Sequence, residues 1–310
     1  MRLRRRSFMA GMAAAGAGLA VQGAAQGDGH PVRLGGPIFL KSDDPEGLAR
    51  EHVRLGYKAA YCPEVPLGDQ ARIDAVAKAF SVHGVTIAEV GRWVNLLDSN
   101  PRLRKENLQK VTDGLALADA IGALCCVDIA GSFSTSSWFG PHPENLSKRF
   151  FDAAVENARK IIDSVRPKRS KFCYEMMGWS LPDSAQSALE IVKAVDRRAF
   201  AVHLDPCNLI NCPSRFYQSS QLLDDCFDKL GRLIVSCHAK DLVWNVEMNV
   251  HFQEVRPGRG SLDYRVYLRR LAGLPHRPPL MLEHLSNAAE YDQAREYIRT
   301  VGQQSGITFD

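Results

Sequence analysis

Eight times along this chain a short apolar run gives way to a longer segment whose apolar residues recur at helical spacing, and this repetition restricts the fold more than any other feature. The short runs fall at 32–40, 57–62, 86–90, 123–129, 171–176, 201–205, 233–237 and 279–283. The longer segments fall at 45–55, 70–83, 105–120, 150–164, 184–195, 218–230, 264–271 and 291–302. Within 70–83, for example, Ile73, Val76, Ala77 and Phe80 lie on one helical face, and Gly84 supplies a stop. Eight strands alternating with eight helices is the element count of an α/β protein built as a single (β/α)8 TIM barrel. An open doubly wound sheet is the rival, but it needs a Gly-rich turn after its first strand. The pair Gly35-Gly36 falls short of a G-x-G-x-x-G turn. No Gly/Ser or Pro/Gly linker and no charge block divides residues 27–310, which are read as one domain.

The first 26 residues read differently. A basic run, Arg4-Arg5-Arg6, precedes Phe8-Met9, then a mild Ala/Gly stretch, then small residues. That order is expected of an export signal rather than a membrane span. The paired arginines followed by Phe8-Met9 resemble a twin-arginine signal, which implies the twin-arginine export machinery as a partner and a soluble periplasmic or otherwise exported mature chain. The chain has 39 Lys+Arg against 35 Asp+Glu, and residues 1–26 hold four arginines and no carboxylate, so the formal +4 belongs to the leader. A neutral body without a basic stripe argues against nucleic-acid binding. Nor does the composition suggest stable insertion of the mature chain into a membrane. The eight cysteines are expected to be mostly buried free thiols, with Cys207 and Cys212 left open because they flank a loop. A homo-oligomer is neither required nor excluded.

In such a barrel the C-terminal ends of the strands face the reaction centre. The last four expected strands each end on a residue that binds divalent metals: Glu175, Asp205, His238 and Glu283. Separations of 30, 33 and 45 residues are too long for one chelating loop and amount to about one βα unit each, so the four converge only if the strands are neighbours. Three carboxylates and one imidazole suit Mn²⁺ best, then Mg²⁺ or Co²⁺, with Zn²⁺ an option. Taken singly, any of these acids could be a helix cap or a surface residue.

The segments Tyr174-Glu175, His203-Leu204-Asp205, His238-Ala239-Lys240-Asp241 and Met281-Leu282-Glu283-His284 resemble those of the xylose-isomerase-like barrels, a superfamily of sugar isomerases and epimerases that includes ketose 3-epimerases and inosose dehydratase. The resemblance implies one divalent metal held by Glu175, Asp205, His238 and Glu283, with Glu175 and Glu283 as the acid–base pair. The loop from Arg256 to Asp263 looks like the Gly-containing loop before the seventh helix of many members. One departure is Asn208, which stands where ketose epimerases carry a substrate-contacting His.

Several other side chains are candidate substrate contacts, each with a structural alternative. His203 shares an inward phase with Asp205, either at the substrate or as a hydrogen-bonded interior histidine. Lys240 is a candidate for a substrate oxygen or for a structural ion pair. Glu89, after the third strand, and Arg259, in the seventh loop, are further contacts unless buried or solvated. Trp138 and Trp179 either stack on a sugar face or pack the barrel rim. The expected activity is a metal-dependent sugar or keto-sugar isomerase or epimerase working through an ene-diolate. The alternatives are a dehydratase or 3-keto-glycoside lyase sharing that first proton abstraction, and a noncatalytic carbohydrate-binding barrel.

Overall fold

A computed structural model describes residues 29–310; the expected leader and its arginines lie outside the described residues. The first half of the chain alternates β1 (Leu34–Gly35), α1 (Pro45–Arg54), β2 (Ala59–Tyr61), α2 (Gln70–Val82), β3 (Thr86–Gly91), α3 (Pro101–Ile121), β4 (Cys125–Asp128) and α4 (Lys148–Val165). The second half begins with β5 (Lys171–Glu175), α5 (Ala185–Val195) and β6 (Phe200–Leu204). Two short helices follow, α6 (Pro206–Leu209) and α7 (Pro213–Tyr217), before α8 (Ser219–Leu230). It ends with β7 (Ile234–Ala239), the pair β8 (Asp241–Asn245) and β9 (His251–Val255), α9 (Tyr264–Ala272), β10 (Leu280–Leu282) and α10 (Ala288–Gln304).

Eight of the strands close into a parallel barrel in the order β1-β10-β7-β6-β5-β4-β3-β2. Helix starts follow local chemistry. Asp44 and Asn100 cap α1 and α3 through side-chain oxygens, each followed by a proline in the first turn, where the missing N–H costs nothing. Closure depends on a glycine. A Cβ at residue 35 would lie 2.5 Å from both Ala59 O and Met281 Sδ, so only glycine lets β1 lie between β2 and β10. The first strand is two residues long rather than the nine of the apolar run. The lower barrel interior is filled by small or slender side chains, Ala59, Ala88 and Met281 on one side and Cys125, Cys173 and Ala201 on the other. All eight cysteines are free thiols, including Cys207 and Cys212. No described helix is long and apolar enough to cross a membrane.

The main departure from the sequence reading lies between β7 and α9. The stretch expected as a long loop contains the antiparallel hairpin β8–β9. Trp244 and Phe252 face each other across it with ring centroids 5.5 Å apart. Beneath the hairpin, the buried Asp241 carboxylate accepts backbone N–H groups from Leu242, Gly258, Gly260 and Leu262, fixing the seventh loop. Burial pushes this carboxyl above its usual range, and those N–H groups offset part of the push.

Candidate metal centre and cavity

Four neighbouring strands carry the cluster. β5 ends on Glu175, β6 is followed by Asp205, β7 contains His238, and β10 is followed by Glu283. Alternation along a strand turns His203 and Asp205 to the same side, and likewise His238 and Lys240; all four are buried in the barrel. One donor atom from each of Glu175, Asp205, His238 and Glu283 lies within 4.8 Å of the others.

His238 Nδ1 faces three carboxylates, at 2.8 Å from Glu283 Oε1, 3.4 Å from Glu175 Oε1 and 3.5 Å from Asp205 Oδ2. Its Nε2 points the other way, 3.2 Å from Glu89 Oε1. Glu89 Oε2 accepts from Ser236 Oγ at 3.2 Å and lies 2.8 Å from His203 Nε2, out of line for a hydrogen bond. Asp205 caps α6: its Oδ1 accepts from Cys207 N and Asn208 N at 3.0 and 3.2 Å, which leaves Oδ2 toward the cluster. Asn208 then bridges, donating Nδ2–H to Glu175 Oε1 at 3.0 Å and accepting from Lys240 Nζ at 3.0 Å. Trp93 Nε1 donates to the outer oxygen of Glu175, Oε2, at 2.6 Å. A Cβ at residue 91 would come within 2.0 Å of the Trp93 ring, so Gly91 is what allows that ring to fold back.

The charges are strongly coupled. Burial opposes ionisation of Asp205, but the Lys240 ammonium and His238 overcome it and hold the carboxyl below its usual range. Burial likewise works against a charged His238, yet Glu283, Glu89 and Glu175 keep its pKa well above the ordinary value. Lys240, 2.7 Å from Asp205 Oδ2 and 2.9 Å from Glu283 Oε1, is held charged by the same carboxylates. These short separations are not aligned hydrogen bonds. Asp205 Oδ2, His238 Nδ1 and Glu283 Oε1 are buried and have no hydrogen-bond partner. Such convergent polar atoms are costly unless something satisfies them, and a divalent cation preferring oxygen donors fits this set. Glu89, His203 and His238 also stand at metal-binding separations. Their nearest partners, however, are one another and Ser236, which makes them a support beneath the first group.

A cavity of about 550 Å³ opens above the cluster. Glu175 and Glu283 line it, whereas Asp205 and His238 are fully buried and do not. Of the sequence candidates for substrate contact, Lys240, Asn208, Trp138 and Trp179 line the cavity. Glu89 and His203 do not, because both lie in the layer below with no exposed surface. Arg259 does not either; the loop held by Asp241 leaves it exposed outside the cavity.

Sequence reasoning missed Trp93, Glu254 and His284, which also line the cavity. Glu254 arrives on the unforeseen hairpin, and its Oε1 lies 3.2 Å from His284 Nδ1. His284 adopts a left-handed φ of 58°, uncommon for a non-glycine residue and often seen at functional sites. Adjacency to Glu283 was its only sequence signal; Trp93 had its place just after the third strand.

Several solved structures share this architecture. A xylose isomerase-like TIM barrel protein from Mycobacterium smegmatis in complex with magnesium is 19% identical, with a TM-score of 0.60 over 91% of this chain and 95% of the other. Endonuclease IV from Thermus thermophilus is 16% identical, with a TM-score of 0.67 over 88% of this chain and 100% of the other. The 3-keto-D-glucoside 4-epimerase from E. coli is 14% identical, with a TM-score of 0.61 over 87% and 99%. At these identities the likeness is one of fold. No curated protein matches the sequence. Residues 51–301, most of the barrel, match the family model for this architecture, and the chain therefore belongs to the xylose isomerase-like TIM barrel family.

Proposed function

We propose that the protein is a divalent-metal-dependent isomerase or epimerase of a sugar or keto-sugar, with Glu175 and Glu283 as its acid–base pair. One observation carries the reading: the four-residue cluster divides into two fully buried members, Asp205 and His238, and two carboxylates that also face the cavity. Glu175, Asp205, His238 and Glu283 would hold the ion, which when bound would stabilise negative charge developing on a substrate carbonyl oxygen. Glu175 and Glu283 lie at the two ends of the four-strand arc β5-β6-β7-β10 and reach the cluster from different sides. Each turns Oε1 toward His238 and keeps Oε2 for other work. One removes a proton from the carbon beside the substrate carbonyl, and the other returns a proton to the opposite face or to the neighbouring carbon. Return to the opposite face inverts the centre; return to the neighbour interconverts aldose and ketose. Trp93 orients the outer oxygen of Glu175, and Asn208 spaces Glu175 from Lys240. Lys240 lines the cavity beside Asp205 and Glu283, where it would meet a substrate oxygen. The magnesium complex of one structural relative and the 4-epimerase activity named for another support this reading.

Elimination by a dehydratase or 3-keto-glycoside lyase is the second reading, and His284 favours it. This histidine lines the cavity beside Glu283 with its Nδ1 3.2 Å from Glu254 Oε1, a pairing that would let it donate a proton to a leaving oxygen. The deciding experiment follows solvent deuterium into substrate with Mn²⁺ at matched metal occupancy. Glu175→Gln and Glu283→Gln should each slow C–H exchange by roughly 10²–10⁴-fold. Exchange near the wild-type rate in both metallated variants would remove the glutamates from this role. Deuterium in a product of unchanged unlabelled mass indicates epimerisation or isomerisation, and release of water or an aglycone indicates elimination.

A further inference from the structure

The cavity has two chemically different ends. Its inner end is built from buried charged groups, Glu175, Glu283 and Lys240. Its outer end carries a row of three aromatic side chains, Trp138, Phe139 and Trp179, which remain 44%, 42% and 36% exposed. Successive ring centroids are 5.0 and 6.0 Å apart with planes tilted by 73° and 50°, so the row is a faceted apolar surface wider than one ring face. The row is also built rather than incidental. Trp138 and Phe139 come from the loop after β4 and Trp179 from the loop after β5, and the Trp179 indole N–H donates to the Phe139 carbonyl, tying the two loops together. Ile129 and Met177 continue the apolar wall inward.

A free sugar can lay one C–H face on an aromatic ring, but it carries hydroxyls all around its rim, and each one buried without a partner costs about 1–3 kcal/mol. Most of this wall offers no hydrogen-bond partner. Contiguous exposed aromatic surface beside a polar reaction centre instead matches a ligand that is itself divided into a polar and a flat apolar part.

Resting on the reading of the metal centre above, we propose that the substrate is a glycoside or keto-glycoside with a flat aromatic aglycone. Its sugar lies toward Glu175 and Glu283, and its aglycone lies along Trp138, Phe139 and Trp179. Recognition thus extends past the sugar to its substituent, and the aromatic row sets specificity. Stacking on one of these rings with an edge contact from its neighbour favours an aryl over a methyl aglycone by about fivefold to a hundredfold.

The test is calorimetric titration of the Mn²⁺-loaded protein with 2-naphthyl and methyl β-D-glucopyranosides and β-D-galactopyranosides, and with 2-naphthol. Tighter binding of at least one naphthyl glycoside than of its methyl counterpart and of 2-naphthol is expected. Trp138→Ala combined with Trp179→Ala should abolish that preference, and Trp138→Ala alone, which leaves the Trp179–Phe139 tie intact, should reduce it. Equal affinities, no binding of any glycoside, 2-naphthol binding as tightly as its glycosides, or a preference untouched in the folded variants would each overturn the proposal. Loss of the preference says nothing against proton exchange at Glu175 and Glu283. Conversely, intact aryl selectivity with normal exchange in the Gln variants would refute the metal-centre chemistry and leave the aromatic subsite standing.

Discussion

Removing the carboxylate beneath His238 probes the centre without touching any residue proposed to hold the ion. Glu89 has no exposed surface, and its Oε1 accepts from His238 Nε2 at 3.2 Å. With an ion bound in place of the second ring proton, that contact would keep the remaining proton on Nε2 and leave Nδ1, the nitrogen facing the three carboxylates, as the lone-pair donor. Carboxylate–histidine supports of this kind are worth about 10–100-fold in metal affinity, or about 1.4–2.7 kcal/mol. The length of this contact, at the far end of the N–H···O range, places Glu89→Gln near the lower figure, since an amide oxygen can still accept from Nε2. Glu89→Ala removes the acceptor and opens a gap beside His203 and Ser236, and should approach the upper figure. The assay is Mn²⁺ dissociation by competition with a chelator, alongside chemical denaturation in metal-free buffer to confirm that both variants fold. A folded Glu89→Ala protein binding Mn²⁺ as tightly as wild type would refute the claim that this carboxylate sets the histidine tautomer.

Two further predictions are independent of it. Trp93→Phe loses the 2.6 Å bond to Glu175 Oε2 and keeps most of the ring, so turnover should fall about tenfold or more with Mn²⁺ affinity unchanged; equal loss of both would show that Trp93 shapes the whole cluster. His52 is buried between the Tyr57 and Phe80 rings, and burial lowers its pKa, only partly offset by its hydrogen bond to Leu48 O. Because the unfolded chain takes up that proton more readily, stability is full above about pH 6.5 and declines below it until the lower folded-state pKa is passed. His52→Met should flatten that decline in denaturation curves, and parallel curves for the two proteins would dismiss His52 as its source.

The sequence by itself determined the barrel and the four-residue cluster. Both follow from local periodicities: apolar runs and amphipathic segments specify strands and helices, and a polar residue closing each of four successive strands must come to one face once the strands lie side by side. Glu175, Asp205, His238 and Glu283 were legible for that reason, although 30 to 45 residues separate each from the next. The hairpin was less legible. Its alternation is short and its outer face polar, so little apolar signal distinguished β9 from a loop, and Glu254 was lost with it. What tertiary structure alone decided is depth. Glu89 and Lys240 both promised contact with the cavity, yet Lys240 reaches it and Glu89 lies one layer below, against His203 and His238. Strand phase says only that a side chain points into the barrel. Whether it meets substrate, a ligand residue or the packing beneath depends on stagger between strands and on what neighbouring loops cover, and those are set by contacts between residues distant in the chain.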